Sequence, residues 1–203
     1  MAVIVIGGHS RNIGKTSVVA GLIARLPEFH WTAFKITQYG HGFCTADGKP
    51  CQCQTEDSCV SLTAELDRDS GTDTSRFLAA GAARSIWVRT RIGMLGEAMP
   101  RIEKELAACE NAILESNSIL EFLEPDLYFT VLDPDVADFK DSARRFFDRA
   151  DAVLISSSSR TEGGHSGAPD EKPHFWVPPP DYMSSELVDF VRARLAPRVA
   201  AVS

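Results

Sequence analysis

Ala2-Val3-Ile4-Val5-Ile6-Gly7-Gly8-His9-Ser10-Arg11-Asn12-Ile13-Gly14-Lys15-Thr16-Ser17 is the stretch that decides the fold. Its apolar run predicts a buried strand, its glycines a turn, and Val18, Val19, Leu22, Ile23 and Leu26 recur at helical spacing after it. Strand, glycine-rich turn, Gly-Lys-Thr and helix is the layout that aims consecutive backbone N–H groups and a helix N-terminus at phosphate oxygens. In that layout Gly8, His9, Ser10, Arg11, Asn12, Ile13, Gly14, Lys15, Thr16 and Ser17 cradle the phosphates of a nucleotide, ATP or GTP. Lys15 then reaches the outer phosphates and the Thr16 hydroxyl ligates Mg²⁺. The common spacing, G-x4-G-K-[ST], needs glycine where His9 stands, so the nearest glycine, Gly8, makes the loop G-x5-G-K-T. His9 is read as a loop residue making a backbone contact, with catalysis as the alternative.

Working outward, apolar runs alternate with helical patterns along all 203 residues. That alternation predicts a single α/β domain, a doubly wound, mostly parallel sheet flanked by helices. The expected strands are Ala2–Ile6, Trp31–Ile36, Ser85–Arg89, Ala112–Glu115, Leu127–Leu132, Ala152–Ser156 and Phe175–Val177. Helices are expected after the loop, over Thr74–Ala83 with Asp73 or Thr74 as cap, over Ile92–Ala108 with a kink or the start of a new helix at Pro100, over Phe139–Ala150 and over Ser184–Leu195. Two long stretches fit neither pattern: 39–71, read as a functional Cys-rich insertion, and 157–172, rich in Ser, Gly and charge and read as a mobile loop.

Net charge is −7, which argues against nucleic acid or a membrane surface as partner. No apolar run reaches the ~18 residues of a membrane span, and no basic leader with a cleavage site precedes the first strand, so a cytoplasmic location is expected. In that reducing compartment Cys44, Cys51, Cys53 and Cys59 point to metal rather than to disulfides. Their spacing, C-x6-C-x-C-x5-C, matches neither a zinc ribbon nor a ferredoxin run. Zn²⁺, an iron–sulfur cluster, a redox or metal-transfer role and unliganded thiols all stay open, with His41 as a fourth ligand if three cysteines bind. Cys109, alone near a helix end, reads as a small buried residue.

A phosphate loop works with a carboxylate that holds Mg²⁺ or its water shell, at the end of a neighbouring strand. Glu115 ends the apolar run Ala112-Ile113-Leu114 and fits; Asp73 is a second candidate for Mg²⁺, and helix capping would account for it equally. Lys35, inside Trp31-Thr32-Ala33-Phe34-Lys35-Ile36, is either an edge-strand charge or a cation aimed at the anionic site. Lys15, Lys35 and Glu115 are thus the candidate catalytic residues.

Gly14-Lys15-Thr16, Lys35-Ile36-Thr37 with His41 following, Asp73-Thr74-Ser75-Arg76 running into Ala79-Ala80-Gly81-Ala82, and Ile113-Leu114-Glu115 together resemble the molybdopterin-guanine dinucleotide biosynthesis adaptor family of P-loop proteins. The likeness covers roughly residues 1–120. The longer loop is similar to that of dethiobiotin synthetase and the cobyrinic acid amidases, and the wider class includes the metallochaperone GTPases of nickel enzymes. The resemblance implies a Mg²⁺–nucleotide site built from Lys15, Thr16, Asp73 and Glu115. The chain departs from the adaptors in its longer loop, in Ser116 where they carry glycine, in the cysteine segment and in a C-terminal extension. It contains no Asn-Lys-x-Asp guanine signature, and Val177-Pro178-Pro179-Pro180-Asp181 is similar to the proline loop that borders adenine in dethiobiotin synthetase. Three functions follow: a nucleotide-switched accessory protein in cofactor or metal-centre biosynthesis, with a protein partner and dimerisation; an ATP-dependent small-molecule kinase or ligase; or a non-hydrolysing nucleotide-binding module.

Overall fold

The computed structural model describes residues 1–40, 59–157 and 172–199, with side chains through Leu195. In chain order the elements are β1 (Val3–Gly8), α1 (Lys15–Arg25), β2 (Trp31–Tyr39), β3 (Val60–Ala64), α2 (Asp73–Ala79), β4 (Arg84–Arg91), α3 (Leu95–Ala107), β5 (Asn111–Glu115), β6 (Leu127–Leu132), α4 (Asp141–Phe146), β7 (Ala152–Ile155), β8 (His174–Trp176) and α5 (Ser185–Val199). The strands form one sheet of order β3-β4-β2-β5-β1-β6-β7-β8. Every described pairing is parallel except that of β3 with β4. This is the doubly wound α/β fold expected from the alternation of apolar runs.

β1 is buried along its whole length because the sheet is covered on both faces. Ile4 and Ile6 face the layer of α1 and α5, where Val18, Leu22, Leu187 and Val191 close the core. Val3 and Val5 face the opposite layer, with Ile102 and Leu106 of α3. Strands β5 and β2 lie on one side of β1 and β6 on the other, so connections leave β1's neighbourhood in opposite directions. A crevice opens at the strand C-termini where strand order reverses in this way.

Element boundaries differ from the sequence expectation where side-chain chemistry intervenes. β3 lies inside the stretch read as lacking periodicity; it is a short edge strand whose Val60 and Leu62 alone pack inward. Helix α2 starts one residue before the expected Thr74, capped by Thr72, whose hydroxyl accepts from the Ser75 N–H at 3.0 Å. It stops at Ala79 rather than Ala83 because Gly81 adopts φ +107° and the N–H groups of Gly81 and Ala82 turn back to Leu78 and Phe77. Helix α3 begins at Leu95 and runs through Pro100. The expected 157–172 loop falls almost wholly outside the described residues.

Candidate nucleotide site

The loop between β1 and α1 is shaped by a left-handed residue on each side of Ile13. Asn12 has φ +56° and Gly14 φ +91°, and Gly14 is followed at once by the first turn of α1. Such a sequence points successive N–H groups inward. Two remote side chains hold the loop's start. Asn117 brackets Gly8, its Oδ1 accepting from the Gly8 N–H at 2.8 Å and its Nδ2 donating to the Gly8 carbonyl at 2.9 Å. His9 is buried, its ring nitrogens 3.4 Å and 3.0 Å from the carbonyls of Val131 and Val136. The backbone-contact reading of His9 therefore describes what its side chain does. Ser10 donates to Asp138 at 2.9 Å. Gly8, His9 and Ser10 stand behind the crevice wall, whereas Arg11 through Ser17 line a cavity of about 700 Å³.

On the other side of β1 the sheet register sets the charged residues in line. Glu115 is paired with Ile6 of β1 and with Lys35 of β2, so the Lys35 and Glu115 side chains emerge on one face. Lys35 forms an ion pair with Glu115 and a second, 2.9 Å long, with Asp73 at the start of α2. The Thr16 hydroxyl donates to the other Glu115 oxygen at 2.8 Å. Thr16, Glu115, Lys35 and Asp73, spread over the sequence, are thus joined in one chain of contacts, and Lys35 lines the cavity beside the loop. Lys15 curls back to donate to the Ser10 carbonyl of its own loop. Arg76 of α2 donates to Ser17 at 2.9 Å and closes the outer wall.

The crevice is basic within an acidic protein, since Arg11, Lys15, Lys35, Arg76 and Lys140 outnumber Asp73 and Glu115. Burial pushes Lys15 down to about 8, aided by Lys35 and Arg11 and opposed by Glu115. Lys35 is also disfavoured by burial, yet its two carboxylate partners, Glu115 first, more than offset that and hold it above the usual lysine value. Both are cations at neutral pH.

Lys140, Ser142 and Tyr182 also line the cavity and were not singled out from the sequence. Tyr182 packs over Gly14 so closely that a Cβ there would lie 2.1 Å from its ring. The one signal for Lys140 was a lone lysine among Asp133, Asp135, Asp138 and Asp141. Of the expected soft-metal ligands, His41, Cys44, Cys51 and Cys53 lie outside the described residues, and Cys59 is exposed at the entry to β3. Among the described residues no three His, Cys, Asp or Glu side chains are grouped to hold a metal ion. Nor is any described helix long and apolar enough to cross a membrane.

A parallel sheet with this loop after its central strand, and a carboxylate ending the next strand, defines the P-loop NTPase fold. No protein-family model and no curated protein sequence matches the chain. Among solved structures, LpxK from Aquifex aeolicus in complex with ATP is similar over 87% of this chain, with a TM-score of 0.51 and 19% identity. The chain spans 53% of that protein, about half its length. HypB from Helicobacter pylori in complex with nickel (TM-score 0.46, 15% identity) is similar over 96% of this chain and 86% of its own. For MobB of Bacillus subtilis the values are 0.40, 14%, 96% and 98%. At 19% identity the likeness to LpxK is one of fold alone.

Proposed function

We propose that this chain binds a Mg²⁺–nucleoside triphosphate, ATP or GTP, in the crevice and cleaves its terminal phosphoanhydride slowly, as an accessory protein in cofactor or metal-centre biosynthesis. The observation that carries the proposal is the contact chain Thr16–Glu115–Lys35–Asp73 set beside Lys15 at the mouth of the loop. A hydroxyl and a carboxylate 2.8 Å apart are hard oxygen donors of the kind Mg²⁺ takes together with water and phosphate oxygens. Thr16 and Glu115 would hold that ion, with Asp73 beside them; when bound it supplies charge neutralisation across the outer phosphates.

The chain's own groups do the remainder. Loop N–H groups bind and orient the phosphates. Lys15 exchanges the Ser10 carbonyl for the outer phosphate oxygens, where its charge stabilises what develops on the transferred group. Lys35 and Thr16 engage one Glu115 oxygen each and fix the orientation of the carboxylate toward the ion it would hold. The resemblance of Lys35-Ile36-Thr37 and Asp73-Thr74-Ser75-Arg76 to the molybdopterin adaptors supports the accessory role.

One observation favours the small-molecule kinase as a second reading. The cavity continues past the loop to Ile36, Thr37, Gln38 and Ile92, leaving room for an acceptor. Calorimetric titration with Mg²⁺–ATP and Mg²⁺–GTP, followed by phosphate-release kinetics, tests the pair. Binding with slow, acceptor-independent release supports the accessory role; release that waits on a small acceptor supports the kinase. No binding of either nucleotide refutes both.

A further inference from the structure

The cations around the loop are not equally committed. Lys35 is held by two carboxylates and Arg76 by Ser17 and, more distantly, Asp73. Among the described residues Lys15 and Arg11 also lack an acid within ion-pair distance, but Lys15 donates to the Ser10 carbonyl and Arg11 is exposed, and Lys140 differs from both. It is half-buried, it lines the cavity, and among the described residues its ammonium has no carboxylate within ion-pair distance. Asp138, two residues before it, already accepts from Ser10. Its position is fixed by backbone, since the Lys140 N–H donates to the His9 carbonyl at 2.9 Å and its own carbonyl accepts from Ala143 and Arg144 at the start of α4. Because β6 lies on the opposite side of β1 from β5 and β2, Lys140 approaches the loop from the flank opposite Lys35. A desolvated cation without a counter-ion is costly unless an anion completes the site.

Resting on the nucleotide reading above, we propose that Lys140 is a phosphate-binding residue that contacts the terminal phosphate of the bound triphosphate. It supplies the counter-charge that Lys35, neutralised by its acids, cannot. The residue thereby makes the site discriminate a triphosphate from a diphosphate, and the Lys140–His9 backbone bond couples that contact to the loop. Burial, with Lys15 and Arg11 adding to it and Asp138 opposing, pushes Lys140 down to about 8, as expected of an ammonium held among cations.

The test uses base-free probes, inorganic tripolyphosphate and pyrophosphate, beside Mg²⁺–ATP and Mg²⁺–ADP, on the full chain and on Lys140→Met and Lys140→Arg. Loss of one charge-assisted contact predicts tripolyphosphate and Mg²⁺–ATP binding weakened ~10- to 100-fold in Lys140→Met. Pyrophosphate and Mg²⁺–ADP should change less than about threefold, and Lys140→Arg should restore part of the loss. The melting temperature without ligand should hold or rise, since no partner is orphaned. Equal losses on both chain lengths, or none, would overturn the proposal while leaving the nucleotide reading standing. Failure of the unaltered chain to bind any of the four probes would overturn the nucleotide reading itself.

Discussion

Replacing Lys35 by Met tests whether the charged chain under the loop is a coupled unit. The Lys35 and Glu115 side chains are 15% and 5% exposed, so their pairing takes place largely out of water. Met keeps the aliphatic volume and removes the cation, leaving Glu115 buried with Thr16 as its remaining donor. Breaking a buried pair from one side costs ~3–5 kcal/mol. Glu115→Gln is milder, because the amide oxygen still accepts from Thr16 and Lys35 keeps Asp73 at 2.9 Å; ~1–2 kcal/mol is expected. The double variant buries neither charge, so it should lie about 2 kcal/mol above the sum of the singles. At about 2–4 °C per kcal/mol for a chain of this size, Lys35→Met should lower the melting temperature by roughly 10 °C. Urea titrations of all four proteins at neutral pH supply the cycle. With Lys35 held above the usual lysine value, its stabilising charge persists below that value and is lost only as pH rises beyond it, so neutral pH reads the full effect. Additivity within about 0.5 kcal/mol, or a Lys35→Met protein as stable as the parent, would refute the coupled-unit reasoning.

Lys15→Ala should abolish nucleotide affinity, by calorimetry, while the circular dichroism spectrum is unchanged; surviving affinity would mean the loop is not the phosphate site. Lys15 and Lys140 sit at about 8 without ligand and should both be protonated against phosphates. Binding should therefore take up protons and weaken as pH climbs through about 8, visible as buffer-dependent binding heats; without ligand the same lowered values make stability rise from about pH 8 towards 10.5. Gly14→Ala places a Cβ 2.1 Å from the Tyr182 ring at φ +91°, so nucleotide binding should be lost, and adding Tyr182→Ala should recover only the part due to the clash. Asn117→Ala strips both bonds from Gly8 and should cost ~1–3 kcal/mol by urea denaturation.

The loop, the strand-end glutamate and the lysine inside β2 were legible because each stands against a regular background. Lys35 interrupts an apolar run, Glu115 ends one, and glycines punctuate the first strand. What could not be read was partnership across distance. That both acids share Lys35 follows from the strand register Lys35↔Glu115 and from where α2 begins. β3 escaped because an edge strand buries one face over five residues, too short for its alternation to stand out. Lys140 and Tyr182 lie in irregular segments, where periodicity carries no information and only the folded crevice shows which way a side chain is aimed.

The loop's first residues leave the ribosome well before the groups that hold them. Gly8 waits for Asn117, 109 positions on, and the His9 ring for the carbonyls of Val131 and Val136, 122 and 127 positions on. Tyr182 comes later still. Contacts this far apart must be closed at the cost of long-loop entropy, and they form slowly. A nascent or truncated chain would carry the whole phosphate motif and lack its shape, so nucleotide can reward only a chain whose sheet is already assembled through β6.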